Sequence, residues 1–207
     1  MAMENRDIMT FARNRLSDNW GVPVATFLVY LVITFGLGSI PVIGWIGGFI
    51  IAGPLLVGLH RFSLAIARNK ETRTGQLFDA FPFFANGLVA YILVVVFTCL
   101  WTLLLVVPGI MAAMSYSMTF FILADNMQLD GQEAIRRSKD MMYGHRWRFS
   151  CLLGRFTGWI ILGILTCGIG FLWIGPYLMV SAAKFYEDLR GESQPTSMPV
   201  PEIAPGA

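Results

Sequence analysis

Three long windows of this 207-residue chain carry no charge. Residues 19–59 hold no Asp, Glu, Lys or Arg over 41 positions, residues 80–124 none over 45, and residues 156–183 none over 28. A helix that crosses a bilayer needs about 20 consecutive, mostly apolar residues. The first two windows each have room for two crossings. The third reaches two if its helices borrow flanking residues such as Trp147–Arg155 and Lys184–Leu189. Gly and Pro interrupt the windows near their middles, at Gly36–Pro41, Pro108-Gly109 and Cys167–Gly170. The pattern predicts an all-α, polytopic transmembrane helical bundle of about six spans, arranged as three helical hairpins over residues 22–37, 42–60, 85–107, 109–125, 148–166 and 171–187. Fewer, longer or re-entrant helices with Gly and Pro inside them are the alternative. Arg155 is the costliest residue in this arrangement, because a charge at mid-bilayer costs at least ~2.5–3.5 kcal/mol. It sits two turns into its helix, from where it can snorkel back to the surface.

Composition agrees. Hydrophobic residues make up 56% of the chain and charged residues 14%, against about 25% charged in soluble domains. That argues against a soluble globular enzyme and excludes disorder outside the ends. A net charge of +2 is too small for a nucleic-acid binder. Cys99, Cys151 and Cys167 form no C-x-x-C pair, which argues against a disulfide framework or a zinc knuckle.

Under the six-span arrangement every Lys and Arg falls on one side: Arg6 to Arg15, Arg61 to Arg73, Arg136 to Arg148 with the snorkelling Arg155, and Lys184 with Arg190. Positive charge stays inside, so the N- and C-termini and both long loops are expected to be cytoplasmic. No cleavable signal peptide is expected, because the first apolar run follows a mixed-charge segment and no A-x-A-like site comes after it.

A short amphipathic segment precedes each hairpin. The first carries Ile8, Ala12 and Leu16. The second is Thr74–Phe81. The third runs from Asp130 to Tyr143, with Asp130 and Glu133 at capping-box spacing and a stripe of Ile135, Ser138, Met141 and Met142. Each is expected to be a short cytoplasmic helix. The rhythm suggests a pseudo-repeat over 4–70, 74–126 and 130–190 inside a single membrane-embedded domain, 1–190. Residues 191–207, rich in proline, are expected to be a disordered cytoplasmic tail.

A set of motifs then points to a family. They are Leu100–Leu103, Val107-Pro108-Gly109-Ile110, Tyr116–Thr119, Ile122–Asn126, Glu133–Ile135, Ser138, Met141-Met142, Gly144-His145, Trp147, Gly158-Trp159, Leu162–Thr166, Gly168–Gly170, Pro176-Tyr177 and Phe185–Glu187. Upstream, Pro54–Leu59 and Arg61-Phe62 fit the same pattern. In their order and spacing these residues resemble the bacterial integral-membrane family known as domain of unknown function 975. The resemblance implies a multi-pass protein of a bacterial cytoplasmic (inner) membrane, of unassigned role, and supplies no catalytic residue.

Nor do the residues assemble a recognisable active site. The chain has no H-E-x-x-H, G-x-S-x-G or Walker lysine motif. His60 and His145 have no second His or Cys at ligand spacing. Asp125-Asn126 with Asp130 reads as a helix stop followed by an N-cap. No catalytic residue, metal ligand or cofactor is therefore assigned. The basic segment suits a bilayer interface, with Arg136, Arg137, Lys139, Arg146 and Arg148 as candidate contacts to anionic lipid, although plain topogenic charge explains them too. Ser115, Tyr116, Ser117 and Thr119 are the candidate lining of a polar cavity. Gly44-x-x-x-Gly48 and Gly154-x-x-x-Gly158 offer close helix approach. The favoured reading is a non-enzymatic scaffold that organises lipids or protein partners, with membrane lipids, another membrane protein or a second copy of the chain as partners, and no nucleic acid. A facilitative channel or transporter for a small solute is the alternative. A membrane enzyme using Asp125, Asp130 or His145 at the cytoplasmic face ranks third.

Overall fold

The computed structural model describes residues 3–17, 20–41, 43–166 and 168–193. Every regular element among them is helical: α1 Asn5–Ser17, α2 Gly21–Gly38, α3 Ile43–Ala67, two short 3₁₀ turns at Thr74–Phe78 and Phe81–Phe83, α4 Phe84–Leu104, α5 Val106–Tyr116, α6 Thr119–Asp125, α7 Gly131–Met142, α8 Arg146–Leu165 and α9 Phe171–Ser193. Five stretches are long and apolar enough to cross a bilayer: Gly21–Gly38, Gly44–Ala67, Thr74–Leu104, Val106–Asp125 and Arg146–Leu165. α9 is not among them, because Lys184, Glu187, Asp188 and Arg190 crowd its second half. It continues through residues 191–193, at the start of the expected tail. Residues 194–207 and Cys167 of the third turn lie outside the described residues.

The turns fall close to the expected breaks, with informative differences. The second hairpin reverses at a single extended residue, Leu105 (φ −160°, ψ 134°), and not at Pro108-Gly109. Pro108 instead lies in the first turn of α5, where a missing N–H costs nothing. Gly109 lets α5 cross α4 closely: a Cβ there would come within 2.7 Å of the Thr102 Cα. The expected continuous span 109–125 is broken at Ser117-Met118. The Ser117 hydroxyl donates to the Met114 carbonyl at 2.7 Å, and the Ser117 N–H donates to the same carbonyl, which tightens the end of α5 before α6 begins. Gly168 takes the left-handed φ of +89° that turns the third hairpin.

The second lead segment also differs from expectation. It is a pair of 3₁₀ turns and not an α-helix. Leu77, fully buried, packs beside Leu55 and Leu59 of α3, and Pro82 follows too soon for an α-helix to extend.

α3 is the central helix. It contacts α1, α2, α4, α6 and α9, and 67% of its most apolar stretch is buried, against 11% for the stretches containing α2 and α4. The main core gathers Ile8, Leu64, Met118, Phe121, Met142, Phe149, Phe156, Phe185 and Leu189, from the charged ends of their helices. At the hairpin turns the large apolar side chains are bare: Leu103 is 87% exposed, Trp45 74%, Leu165 74% and Phe35 71%.

Two glycine crossings lock α3 in place. A Cβ on Gly53 would come within 2.5 Å of the Gly87 carbonyl oxygen, and one on Gly58 within 2.6 Å of the Leu77 carbonyl carbon. The Gly154/Gly158 pair makes no such approach within the chain; a Cβ on either would meet nothing within 4 Å. Gly44 meets its own hairpin partner, the Leu37 carbonyl, and a Cβ on Gly48 would lie 3.8 Å from the Leu37 Cβ.

Candidate functional site

The charged ends of three helices meet in one ion network. Arg68 follows the last turn of α3, Asp125 closes α6, and Glu187 and Arg190 lie on α9. The Arg68 Nη1 donates to Asp125 Oδ1 at 2.7 Å, and its Nη2 to Glu187 Oε1 at 2.5 Å. The Arg190 Nη1 pairs with Asp125 Oδ2 at 2.6 Å, and the Tyr186 hydroxyl donates to the same oxygen at 3.3 Å. Burial opposes the charge on Arg68. Hydrogen bonds to Asp125 and then Glu187 outweigh that and hold the guanidinium above its ordinary value. Both Asp125 oxygens are thus engaged, and two cations balance two anions. The arrangement fixes the helix ends against one another. A polar cavity of about 370 Å³ adjoins the network, walled by Arg61, Arg68, Lys70, Glu71, Gln76 and Asp125.

A second cluster ties the N-terminal segment to the bundle. The Met3 N–H donates to Asp188 at 3.1 Å. The Arg148 Nη2 donates to both the Met3 carbonyl and the Asp188 carboxylate. The Asn5 amide donates to the Arg148 carbonyl at 3.0 Å, and the Arg148 guanidinium lies over the Phe185 ring at 5.1 Å. Arg148, a candidate lipid contact by sequence, is an internal cation here.

The other candidates take varied places. Arg136 and Arg137 are exposed and both pair with Glu133 at 2.8 Å. Lys139 lies over Tyr116 at 5.4 Å. The Arg146 Nε is buried with no hydrogen-bond partner among the described residues. The Ile135–Met142 face of α7, expected against the bilayer, is instead buried in the chain's own core. α7 packs on α4, α5 and α6, and Ser138 donates to the Ser115 carbonyl at 2.7 Å. The Ser115 and Ser117 hydroxyls donate to the Met111 and Met114 carbonyls of their own helix. Thr119 and Tyr116 are buried. Asp130 caps α7, accepting from the Gln132 N–H at 3.3 Å. His60 lies buried in α3, its Nδ1 2.7 Å from the Leu56 carbonyl. Gly144, at φ +82°, turns the chain before His145 and α8. Among the described residues no three His, Cys, Asp or Glu side chains converge as metal ligands.

Hydrogen bonds from Arg136 and then Arg137 pull the Glu133 carboxyl down to about 2. A carboxyl depressed on folding contributes stability above its ordinary value near ~4.3, and that contribution is lost as the pH falls through about 2. Glu133 is partly exposed, its side chain 28% accessible, and both arginines reach into water, where solvent screens the pair, so the effect is small. Glu133→Gln is expected to melt slightly below wild type at pH 7 and with it near pH 2. A gap that persists at pH 2 would assign the effect to something other than this charge.

The arrangement from α5 to α9 carries Asp125, Glu187, Asp188, Arg148 and the motif residues Pro108-Gly109, Glu133, Trp147, Gly158-Trp159 and Pro176-Tyr177. Residues 102–193 match the family described as Protein of unknown function (DUF975). The DUF975 segment covers less than half of the chain. It begins near the end of α4 and holds every acidic member of the two clusters, whereas Arg68 and Met3 lie outside it. No curated protein and no solved structure matches the chain.

Sequence reading missed the ion network. Asp125 stood out as a helix stop, a motif residue and a residue of the third-ranked enzyme reading, and Arg68 and Glu187 only as a topogenic charge and a motif residue. The available signal was that the second arm of each hairpin ends in a charged residue, and these residues had to neutralise one another or face water.

Proposed function

We propose that this chain is a six-span, non-enzymatic module of the bacterial cytoplasmic membrane that organises lipids or protein partners, with both termini and the long connections cytoplasmic. The observation that carries the reading is the split between its ends. Charges and tight packing lie at one set of helix ends, and large bare apolar side chains lie at the hairpin turns. A water-soluble monomer rarely exposes apolar surface on that scale, whereas hydrocarbon solvates it. In this reading α9 is the sixth span. Its uncharged part, residues 171–183, covers about 20 Å, and Lys184 snorkels to the surface, over the Phe11 ring at 4.6 Å. The recurrence of lead segment, helix, turn and helix supports a threefold repeat.

Single cysteines test the topology in a background with Cys99, Cys151 and Cys167 changed to Ser. Ser39→Cys is expected to react with a membrane-impermeant maleimide in intact spheroplasts. Arg73→Cys, Lys139→Cys and Gly191→Cys are expected to react only after permeabilisation. Labelling of Gly191→Cys from outside would remove the sixth span, and labelling of Arg73→Cys would overturn the orientation.

A further inference from the structure

We propose that the groove between α1, α2, α8 and α9 holds an anionic phospholipid of the leaflet at the charged end, its phosphate on Arg13 and Arg155 and an acyl chain between the indoles. The inference rests on the membrane-spanning reading and names a ligand within it.

A cavity of about 300 Å³ is walled by Arg13, Trp20, Trp159, Trp173, Ile174 and Tyr177. Its size is near the small end for ligand sites, about 300–1,000 Å³, so it takes a headgroup and part of a chain, not a whole lipid. The walls come from four elements, fixed in part by the Tyr177 hydroxyl, which donates to the Met9 carbonyl of α1 at 3.3 Å. Ile174 is buried at the cavity wall, whereas Trp159 and Trp173 are 48% and 49% exposed, so the groove opens sideways. Trp159 lies 13 residues into α8 from Arg146 and Trp173 lies 15 residues from Asp188 on α9. At 1.5 Å per residue both indoles sit about 20 Å from the charged ends. Arg13 on α1 and Trp20, before α2, stand at those ends. The groove therefore runs from headgroup level into the hydrocarbon, with its cation at the water end.

Arg155 supplies the second, independent observation. It is exposed on an otherwise apolar stretch of α8, about 13 Å from the helix start, and it lies one turn before Trp159 on the same face. Neither Arg13 nor Arg155 has a carboxylate partner among the described residues. Most other cations near the core are paired internally. A guanidinium at this depth needs a counter-anion. A lipid phosphate reaches it from the bilayer, where a soluble anion does not, and guanidinium forks match phosphate geometry.

The test uses the full chain in nanodiscs, with Trp45, Trp101 and Trp147 changed to Phe so that only the groove indoles report. Brominated phosphatidylglycerol is expected to quench Trp20, Trp159 and Trp173 more than brominated phosphatidylcholine at equal mole fraction. Arg13→Gln with Arg155→Gln is expected to lower the preference for phosphatidylglycerol by about thirtyfold. Lys at both positions should restore most of it, and Arg136→Gln with Arg137→Gln should leave it unchanged. Equal quenching by the two lipids in the parent chain, or a full preference in the double Gln variant, would overturn the site. Alkaline carbonate extraction separates the two readings: a chain that washes off the membrane sinks the spanning reading and this one with it, and an inserted chain without lipid preference sinks this one alone.

Discussion

Asp125→Ala is expected to destabilise the bundle by about 2–3 kcal/mol, read as a lower midpoint of unfolding by SDS in mixed micelles. Its carboxylate is 17% exposed and holds Arg68 and Arg190 together with the Tyr186 hydroxyl. Removing one member of a fully buried ion pair costs about 3–5 kcal/mol, because its partner is left charged and unpaired. Partial access to water reduces that figure here, since solvent screens the stranded arginines. Asp125→Asn keeps the shape and loses the charge, and should cost most of the same amount. Arg68→Met should cost less when added to Asp125→Ala than alone, with a coupling of about 1–2 kcal/mol. The exposed pair Glu71–Arg73, with side chains 75% and 72% accessible, is the contrast: Glu71→Ala should leave the unfolding midpoint nearly unchanged, because solvent screens the pair. An Asp125→Ala variant as stable as Glu71→Ala would mean that the network does not hold the three helix ends.

Gly58→Ala is expected to cost about 3 kcal/mol by the same measurement. The added methyl would sit 2.6 Å from the Leu77 carbonyl carbon and 3.0 Å from its Cα. Those are backbone atoms and cannot rotate aside, so the 3₁₀ turn must shift and draw fully buried Leu77 away from Leu55 and Leu59. Overpacking of this kind costs typically about 1–3 kcal/mol, and rigid neighbours put it at the upper end. Gly53→Ala meets the Gly87 backbone in the same way. Gly154→Ala and Gly158→Ala meet nothing within 4 Å and should be neutral or gain up to about 1 kcal/mol of helix propensity. If Gly58→Ala and Gly154→Ala behave alike, the α3 crossing is looser than its geometry.

The paired glycines show how unevenly the fold could be read from the chain. Gly154-x-x-x-Gly158 has the spacing of a packing motif and packs on nothing within the chain, whereas Gly53 and Gly58 lack that spacing and make the close contacts. Spacing places two glycines on one helix face, but only the neighbouring element decides whether that face is occupied. The stripe of α7 is similar. Its 3.6-residue period was legible, and so was its N-cap at Asp130. Whether lipid or protein covers Ile135 and Met142 was not, since both solvate an apolar face.

What the sequence by itself determined is local: where helices run, where they turn, and that bare hydrocarbon side chains need an apolar solvent, all following from runs without charge and from Gly and Pro between them. Even there the tertiary structure moved details, turning at Leu105 and breaking at Ser117-Met118. Only the tertiary structure decided the pairing of charges. Arg68 meets partners 57 and 119 residues away, and every acidic residue near a helix end competes for the same few cations. Hydropathy is a property of one residue and its solvent, so it can be read along a chain, whereas an ion pair is a property of two positions that only folding brings together.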